Sequence, residues 1–258
     1  MSGSKIENQL IAANIDTAFI VQSSGSDFNI ARLERYLTMV NDNNIEPVIL
    51  LSKADLISRE DLEQKILNIK NLHHDYKIIP FSNKTKQGLD TIRFAIKTAK
   101  TYCLIGSSGV GKTTLINNLI GQDFYSTGNV REKDEKGKHI TTRSQLIILA
   151  NGGLLIDTPG MRELASIDAH TGLNDTFSDI SILENNCRFR NCTHTNEPGC
   201  AVLKALDNGT LDSKHFQNYL KLRKEIEYNE MTYRDKRKKD RDTGKLYKRI
   251  MKEIKKGI

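Results

Sequence analysis

No stretch of this 258-residue chain approaches the roughly 18 consecutive apolar residues that a membrane-spanning helix needs. The opening MSGSKIENQL lacks the apolar core of a secretory signal, so a cytoplasmic protein is expected. Internal repeats and low-complexity tracts are missing, which leaves no basis for a repeat architecture. No heptad run suggests a coiled coil, and a monomer is expected. Cysteine is scarce, with 4 residues in the chain. Cys187, Cys192 and Cys200 crowd into fourteen residues, and in a cytosolic chain such a cluster favours a metal over a disulfide. Cys103, inside TYCLIG, reads as a buried strand residue.

At 38% hydrophobic and 28% charged, the chain is long enough for one full α/β core and a smaller appended unit. The formal charge of +7 is local: residues 221–258 hold 15 Lys/Arg against 7 Asp/Glu, while the remainder is near neutral. A basic segment on a neutral body points to a polyanionic partner, because neutralising phosphates releases condensed counterions. A solvated helical face with interspersed acids is the plainer alternative.

From Asp16 to Lys100, short β-branched runs alternate with amphipathic stretches. TAFIVQS, PVILLS and KIIPFS read as strands, and ARLERYLTMVND, REDLEQKILNI and GLDTIRFAIKTA as helices. This is the rhythm of a mostly parallel sheet with helices on both faces. Strand TYCLIG, helix KTTLINNLIG and strands SQLIILA and GGLLIDT follow, the last two joined by the Asn151-Gly152 turn signal. Residues 121–144 are polar and aperiodic, as functional loops are. Near residue 170 the rhythm stops and a helical region begins, with ALDNG, SKHFQNYLKLRKEIEYNEMTY and the charged tail.

Gly106-Ser107-Ser108-Gly109-Val110-Gly111-Lys112-Thr113 matches GxxxxGK[ST] between a strand and a helix, the context that makes the motif specific. Glycines let the backbone wrap a β-phosphate, and successive N–H groups with the helix N-terminus supply positive potential. Lys112 is expected to reach the β- and γ-phosphates and to act in catalysis, and the Thr113 hydroxyl to bind Mg²⁺. Asp157-Thr158-Pro159-Gly160 follows an apolar strand. Asp157 is placed to hold Mg²⁺ and the Gly160 N–H to approach the γ-phosphate.

Ser52-Lys53-Ala54-Asp55, at the end of another apolar strand, resembles the NKxD guanine-specificity motif of GTPases. That resemblance implies that Asp55 accepts hydrogen bonds from guanine N1–H and N2–H₂ while the Lys53 stem packs over the base. Ser52 replaces the usual Asn. Ser52 and Asp55 have a second reading, as caps of the next helix. Pro80-Phe81-Ser82-Asn83-Lys84 occupies the place of the SAK segment, with Asn83 for Ala. The full set of nucleotide contacts is expected to be Ser52, Lys53, Asp55, Leu56, Ser82, Asn83, Lys84, Ser108, Gly109, Val110, Gly111, Lys112, Thr113, Thr114 and Gly160.

Cys187, Cys192, His194 and Cys200 are spaced C-x₄-C-x-H-x₅-C, a set that suits closed tetrahedral Zn²⁺ in a structural role. His73, His74, His139, His170 and His215 fall outside the spacing. The base-recognition motifs precede the phosphate loop, the reverse of the usual GTPase order. This circularly permuted order, with the segment CRFRNCTHTNEPGC, resembles the ribosome small subunit-dependent GTPase A family over nearly the whole chain.

The resemblance implies a P-loop GTPase fold over residues 13–170, a zinc-binding helical unit with a basic tail over 171–258, and Mg²⁺-dependent GTP hydrolysis stimulated by the small ribosomal subunit. The family carries an N-terminal OB-fold; here residues 1–12 look like the linker that would follow one, and that domain is expected to be absent. His139-Ile140-Thr141-Thr142 resembles the family's HTTT switch. It makes His139 the candidate to orient or deprotonate water, and Thr141, or failing it Thr142, the candidate for Mg²⁺. Met161 stands where Ras-like enzymes carry a water-orienting Gln, so slow intrinsic hydrolysis is expected. Two readings compete: a zinc-stabilised RNA-binding protein in which guanine nucleotide is mainly a structural or regulatory ligand, and a P-loop ATPase with an accidental SKAD segment.

Overall fold

The computed structural model describes residues 14–72, 76–121, 145–157, 169–232, 234–242, 245 and 251. TAFIVQS and EPVILLS hold the unbroken apolar runs AFIV and PVILL, the pattern of strands covered on both faces. They form β1 (Thr17–Ser23) and β2 (Glu46–Ser52). With β3 (Lys77–Pro80), β4 (Thr101–Ile105), β5 (Gln145–Ile148) and β6 (Leu154–Asp157) they build one sheet in the order β3-β2-β1-β4-β6-β5. Every pairing is parallel except β5 with β6. That antiparallel pair is closed by the Asn151-Gly152 turn, in which Gly152 takes φ 78°.

Side-chain alternation divides the core in two. Phe19, Val21, Leu50 and Leu104 pack with α3 (Leu89–Ala95) and α4 (Lys112–Ile120) on one face. Ile20, Ile49, Leu51 and Cys103 pack with α1 (Ile30–Asp42) and α2 (Arg59–Leu72) on the other. Burying each such aliphatic side chain contributes roughly 1.5–3 kcal/mol. A one-residue slip would exchange the two sets, so strand register is fixed. Burial also pushes the Cys103 thiol up to about 12, as befits an inert strand residue.

The chain leaves β1 through α1 on one face and enters β4 from α3 on the other. Strand order therefore reverses between β1 and β4, and the crevice at the carboxyl ends of strands around such a point is where open α/β sheets bind ligands. In sequence β2 and β3 precede β4, yet in the sheet a single strand, β1, separates β2 from β4.

A third core belongs to the C-terminal helices α5 (His170–Thr176), α6 (Ser178–Glu184), α7 (Ala201–Asp207) and α8 (Ser213–Glu230). Residues 234–242 are helical as well. Helices α5 and α6 were not legible in the sequence because HTGLNDT and SDISILE are short and lack a clear apolar period. Helix α5 lies against α1 so closely that a Cβ on Gly172 would sit 2.0 Å from the Thr38 carbonyl oxygen. The same boundary buries Glu34 of α1. Its carboxylate meets His215 Nδ1 at 2.6 Å and accepts from Asn218 Nδ2, while His215 Nε2 lies 3.2 Å from Asp179. Burial opposes the imidazolium most strongly, but Asp179 and Glu34 together outweigh it and raise the His215 pKa to about 9. No helix among the described residues is long and apolar enough to cross a membrane.

Candidate nucleotide site and metal centre

The loop between β4 and α4 follows the geometry its glycines demand. A Cβ on Gly106 would lie 2.2 Å from the Val21 carbonyl oxygen, and Gly111 takes φ 96° at the N-terminus of α4. At Gly109, with φ 76°, an added Cβ would meet nothing within 4 Å. The backbone there is open to a close-approaching ligand. Lys112 Nζ crosses the loop, donating to the carbonyls of Gly106 at 2.6 Å and Ser107 at 2.8 Å. Thr113 stands exposed in the first turn of α4, with Thr114 beside it half-buried.

The ends of β2 and β3 meet this loop directly. Ser52, fully buried, donates its hydroxyl to the Val110 carbonyl at 2.7 Å. Asn83 Nδ2 donates to the Gly111 carbonyl at 2.9 Å, and Asn118 of α4 donates to Asn83 Oδ1 at 2.9 Å. The two base-side loops are joined to each other by the Ala54 N–H, which donates to the Phe81 carbonyl at 3.1 Å. Buried Ser82 shapes the second loop by accepting from the N–H groups of Lys84 and Thr85. Lys53 adopts φ 59° and begins a single 3₁₀ turn, Ala54–Leu56, that carries exposed Asp55 and Leu56.

Ser58 receives the Asp61 N–H at the start of α2, so Ser52 is not a helix cap. Its hydroxyl instead bonds the base-side loop to the phosphate loop. The sequence-expected residues Ser52, Lys53, Asp55, Leu56, Ser82, Asn83 and Lys84 thus follow strands whose carboxyl ends lie on the same side of the sheet as residues 106–114. His139, Thr141, Thr142, Gly160, Met161 and the Asp157 side chain lie outside the described residues.

Arg32 and Asn118 were missed by the sequence reading. Arg32 Nη1 donates to Ser107 Oγ at 2.9 Å while its guanidinium pairs with Asp27 at 3.0 Å. A lone Arg on an amphipathic helix carries no motif, so nothing in the sequence singled it out.

The four expected metal ligands also converge. Cys187 Sγ lies 3.8 Å from Cys200 Sγ and 3.8 Å from His194 Nδ1, and His194 Nδ1 lies 3.3 Å from Cys200 Sγ. All four ligand atoms fall within 4.8 Å of one another. A tetrahedron with Zn–S bonds of about 2.3 Å has edges of about 3.8 Å, so the donor set and its size fit zinc held through His194 Nδ1. His194 Nε2 meets Glu184 at 2.8 Å, and that carboxylate accepts from Tyr219 at 2.6 Å. Such a contact fixes the imidazole tautomer and orientation, and Glu184 and Tyr219 were not foreseen. Glu197 secures the turn before the last ligand by accepting from the N–H groups of Thr193, Thr195 and Asn196. The Thr193 hydroxyl also donates to it, and that bond, ahead of the N–H contacts, is the main reason that its carboxyl is held well below the usual range.

Known proteins similar to this chain are GTPases. The RsgA GTPase family model matches residues 2–167. Small ribosomal subunit biogenesis GTPase RsgA 2 of Vibrio parahaemolyticus is 43% identical over 99% of this chain and 71% of its own length. RsgA 1 of Listeria innocua is 46% identical over 86% of this chain and 64% of its own length. Among solved structures, YjeQ from Thermotoga maritima superposes with a TM-score of 0.63 at 26% identity, over 83% of this chain and 72% of that one. YloQ, described as a circularly permuted GTPase, gives 0.61 at 30% identity, over 85% and 71%.

Proposed function

Because this chain belongs to the RsgA GTPase family, we propose that it binds the small ribosomal subunit and hydrolyses GTP during late maturation of that subunit, in the cytoplasm. Residues 13–170 form the GTPase domain and residues 171–258 a zinc-binding unit with a basic tail. Guanine is read by Asp55 and Lys53, the phosphates are held by residues 108–113, and Thr113, Thr141 and Asp157 hold the Mg²⁺ that neutralises charge developing on the phosphates. His139 orients the attacking water. With Met161 in place of a water-orienting Gln, turnover is slow until the small subunit supplies the missing order.

The observation that carries this reading is the pair of bonds from Ser52 to Val110 and from Asn83 to Gly111. They bring the base-side loops, early in the chain, against the phosphate loop, so that one nucleotide spans both. Phosphoryl transfer leaves the protein little covalent chemistry to do, and positioning plus charge stabilisation accounts for the rate. The test is GTP turnover by the intact chain with and without small ribosomal subunits, alongside Lys112→Ala. Stimulation by subunits that disappears in the variant is the expected result. Turnover that stays negligible with subunits, while GTP still binds, favours the second reading, a zinc-stabilised RNA-binding protein with nucleotide as a structural ligand; Met161 is the residue that favours it.

A further inference from the structure

Helix α8 carries Lys221, Lys224 and Tyr228 at spacings that place them on one side. That side borders a groove of 540 Å³ whose other walls include Arg35 and Thr38 of α1 and Lys239 of the helical stretch 234–242. Among the described lining residues the cations are Arg35, Lys221, Lys224 and Lys239, and Glu225 is the one carboxylate. Arg35 occupies that carboxylate at 2.7 Å. Three lysines therefore line the groove with no acid among the described lining residues left to balance them. Lys239 and Lys236 sit over the Tyr228 ring at 5.5 and 5.3 Å, which fixes residues 234–242 against α8.

Like charges gathered in a concave surface repel one another unless an anion enters. These cations come from α1, α8 and residues 234–242 around a groove of 540 Å³, a volume that a stretch of phosphodiester chain fills better than a single small anion. Lysines act on phosphates as point charges and do not read bases. We propose that the groove between α1, α8 and residues 234–242 seats a phosphodiester backbone of RNA, with Lys221, Lys224 and Lys239 neutralising its phosphates. The proposal rests on the reading that this chain engages ribosomal RNA and names the surface that does so. Since one wall belongs to α1 and the other to the C-terminal helices, an RNA seated there holds the two units in register.

The test is fluorescence anisotropy of a labelled RNA hairpin with the full chain across a salt series. The groove variant is Lys221→Gln, Lys224→Gln and Lys239→Gln together. Its equal-charge control is Arg234→Gln, Lys238→Gln and Arg241→Gln, positions that helical spacing puts on the side opposite Lys236 and Lys239. Each neutralised phosphate adds about 0.7–0.9 to the slope of log affinity against log salt. The groove variant is expected to lower that slope by about two to three, and the control by less than about one, with GDP affinity unchanged in both. An equal fall in both variants, or no fall in the groove variant, overturns the proposal while leaving RNA binding in place. Wild-type protein that binds neither the hairpin nor small subunits overturns the underlying reading as well.

Discussion

The hydroxyl of Ser52 donates to the carbonyl of Val110 across 2.7 Å, tying the end of β2 to the phosphate loop that follows β4. The two residues are 58 positions apart in the chain, and they meet because β1 alone separates their strands. A hydrogen bond between buried groups typically contributes about 0.5–1.5 kcal/mol, and leaving the acceptor unmet costs about 1–3 kcal/mol. Ser52→Ala is therefore expected to weaken GDP binding by about fivefold or more, mainly through faster dissociation. Ser52→Thr keeps the hydroxyl and should bind like the wild type. Stopped-flow release of a fluorescent GDP analogue reads both; equal release from wild type and Ser52→Ala would show that the contact carries no share of binding.

Removing Lys112 takes away the cation that spans the phosphate loop. In Lys112→Ala, GTP turnover is expected to fall by about a hundredfold or more, since charge stabilisation of the transferred phosphoryl group is the main catalytic contribution. The far-ultraviolet circular dichroism spectrum should be unchanged, because Lys112 lies outside the sheet and its ammonium donates to the loop carbonyls of Gly106 and Ser107.

Much of this site was legible in the chain, and the reasons differ by residue. The phosphate loop announces itself because its chemistry requires glycines and Lys-Thr at fixed offsets. The metal ligands do so because soft donors are rare and were clustered. Strands β1 and β2 stood out because both faces are buried, whereas α5 and α6 did not, since seven-residue helices give too few turns for a period to show. Asn83 looked like a departure from a pattern, and its function as a tie to Gly111 depends on the distance between β3 and α4, which no local spacing encodes. Arg32, Glu184 and Tyr219 act through partners remote in sequence and carry no motif of their own.

Zinc removal should loosen the C-terminal unit selectively. Cys187, Cys192, His194 and Cys200 close a small helical core that includes Phe177, Val202 and Tyr219. Chelation is expected to lower the melting temperature and to expose that core to a hydrophobic dye while GDP binding persists. Glu184→Gln should retain the fold but lose zinc to a competing chelator about 10–100-fold more readily, the usual effect of losing a carboxylate behind a ligating histidine. Zinc content by elemental analysis decides it, and identical retention in wild type and Glu184→Gln contradicts the assignment.

The buried His215 makes stability depend on pH. Its folded pKa is raised from 6.5 to about 9, so its contribution is fully present below the unfolded value and is lost as pH rises through the folded one. Melting temperature should therefore decline between about pH 6.5 and pH 9, and His215→Gln should remove that part of the decline. A wild-type profile flat over the same window would mean that Glu34 and Asp179 do not hold the imidazolium.

One comparison bears on everything above: calorimetric binding of GDP and ADP to wild type, Asp55→Ala and Lys112→Ala. If the early SKAD loop and the phosphate loop grip opposite ends of one nucleotide, Asp55→Ala loses about a hundredfold or more in GDP affinity, as charge-assisted hydrogen bonds to guanine require. ADP binding stays where it was, and Lys112→Ala weakens both nucleotides together. Asp55→Ala retaining the wild-type preference for GDP over ADP would contradict the account.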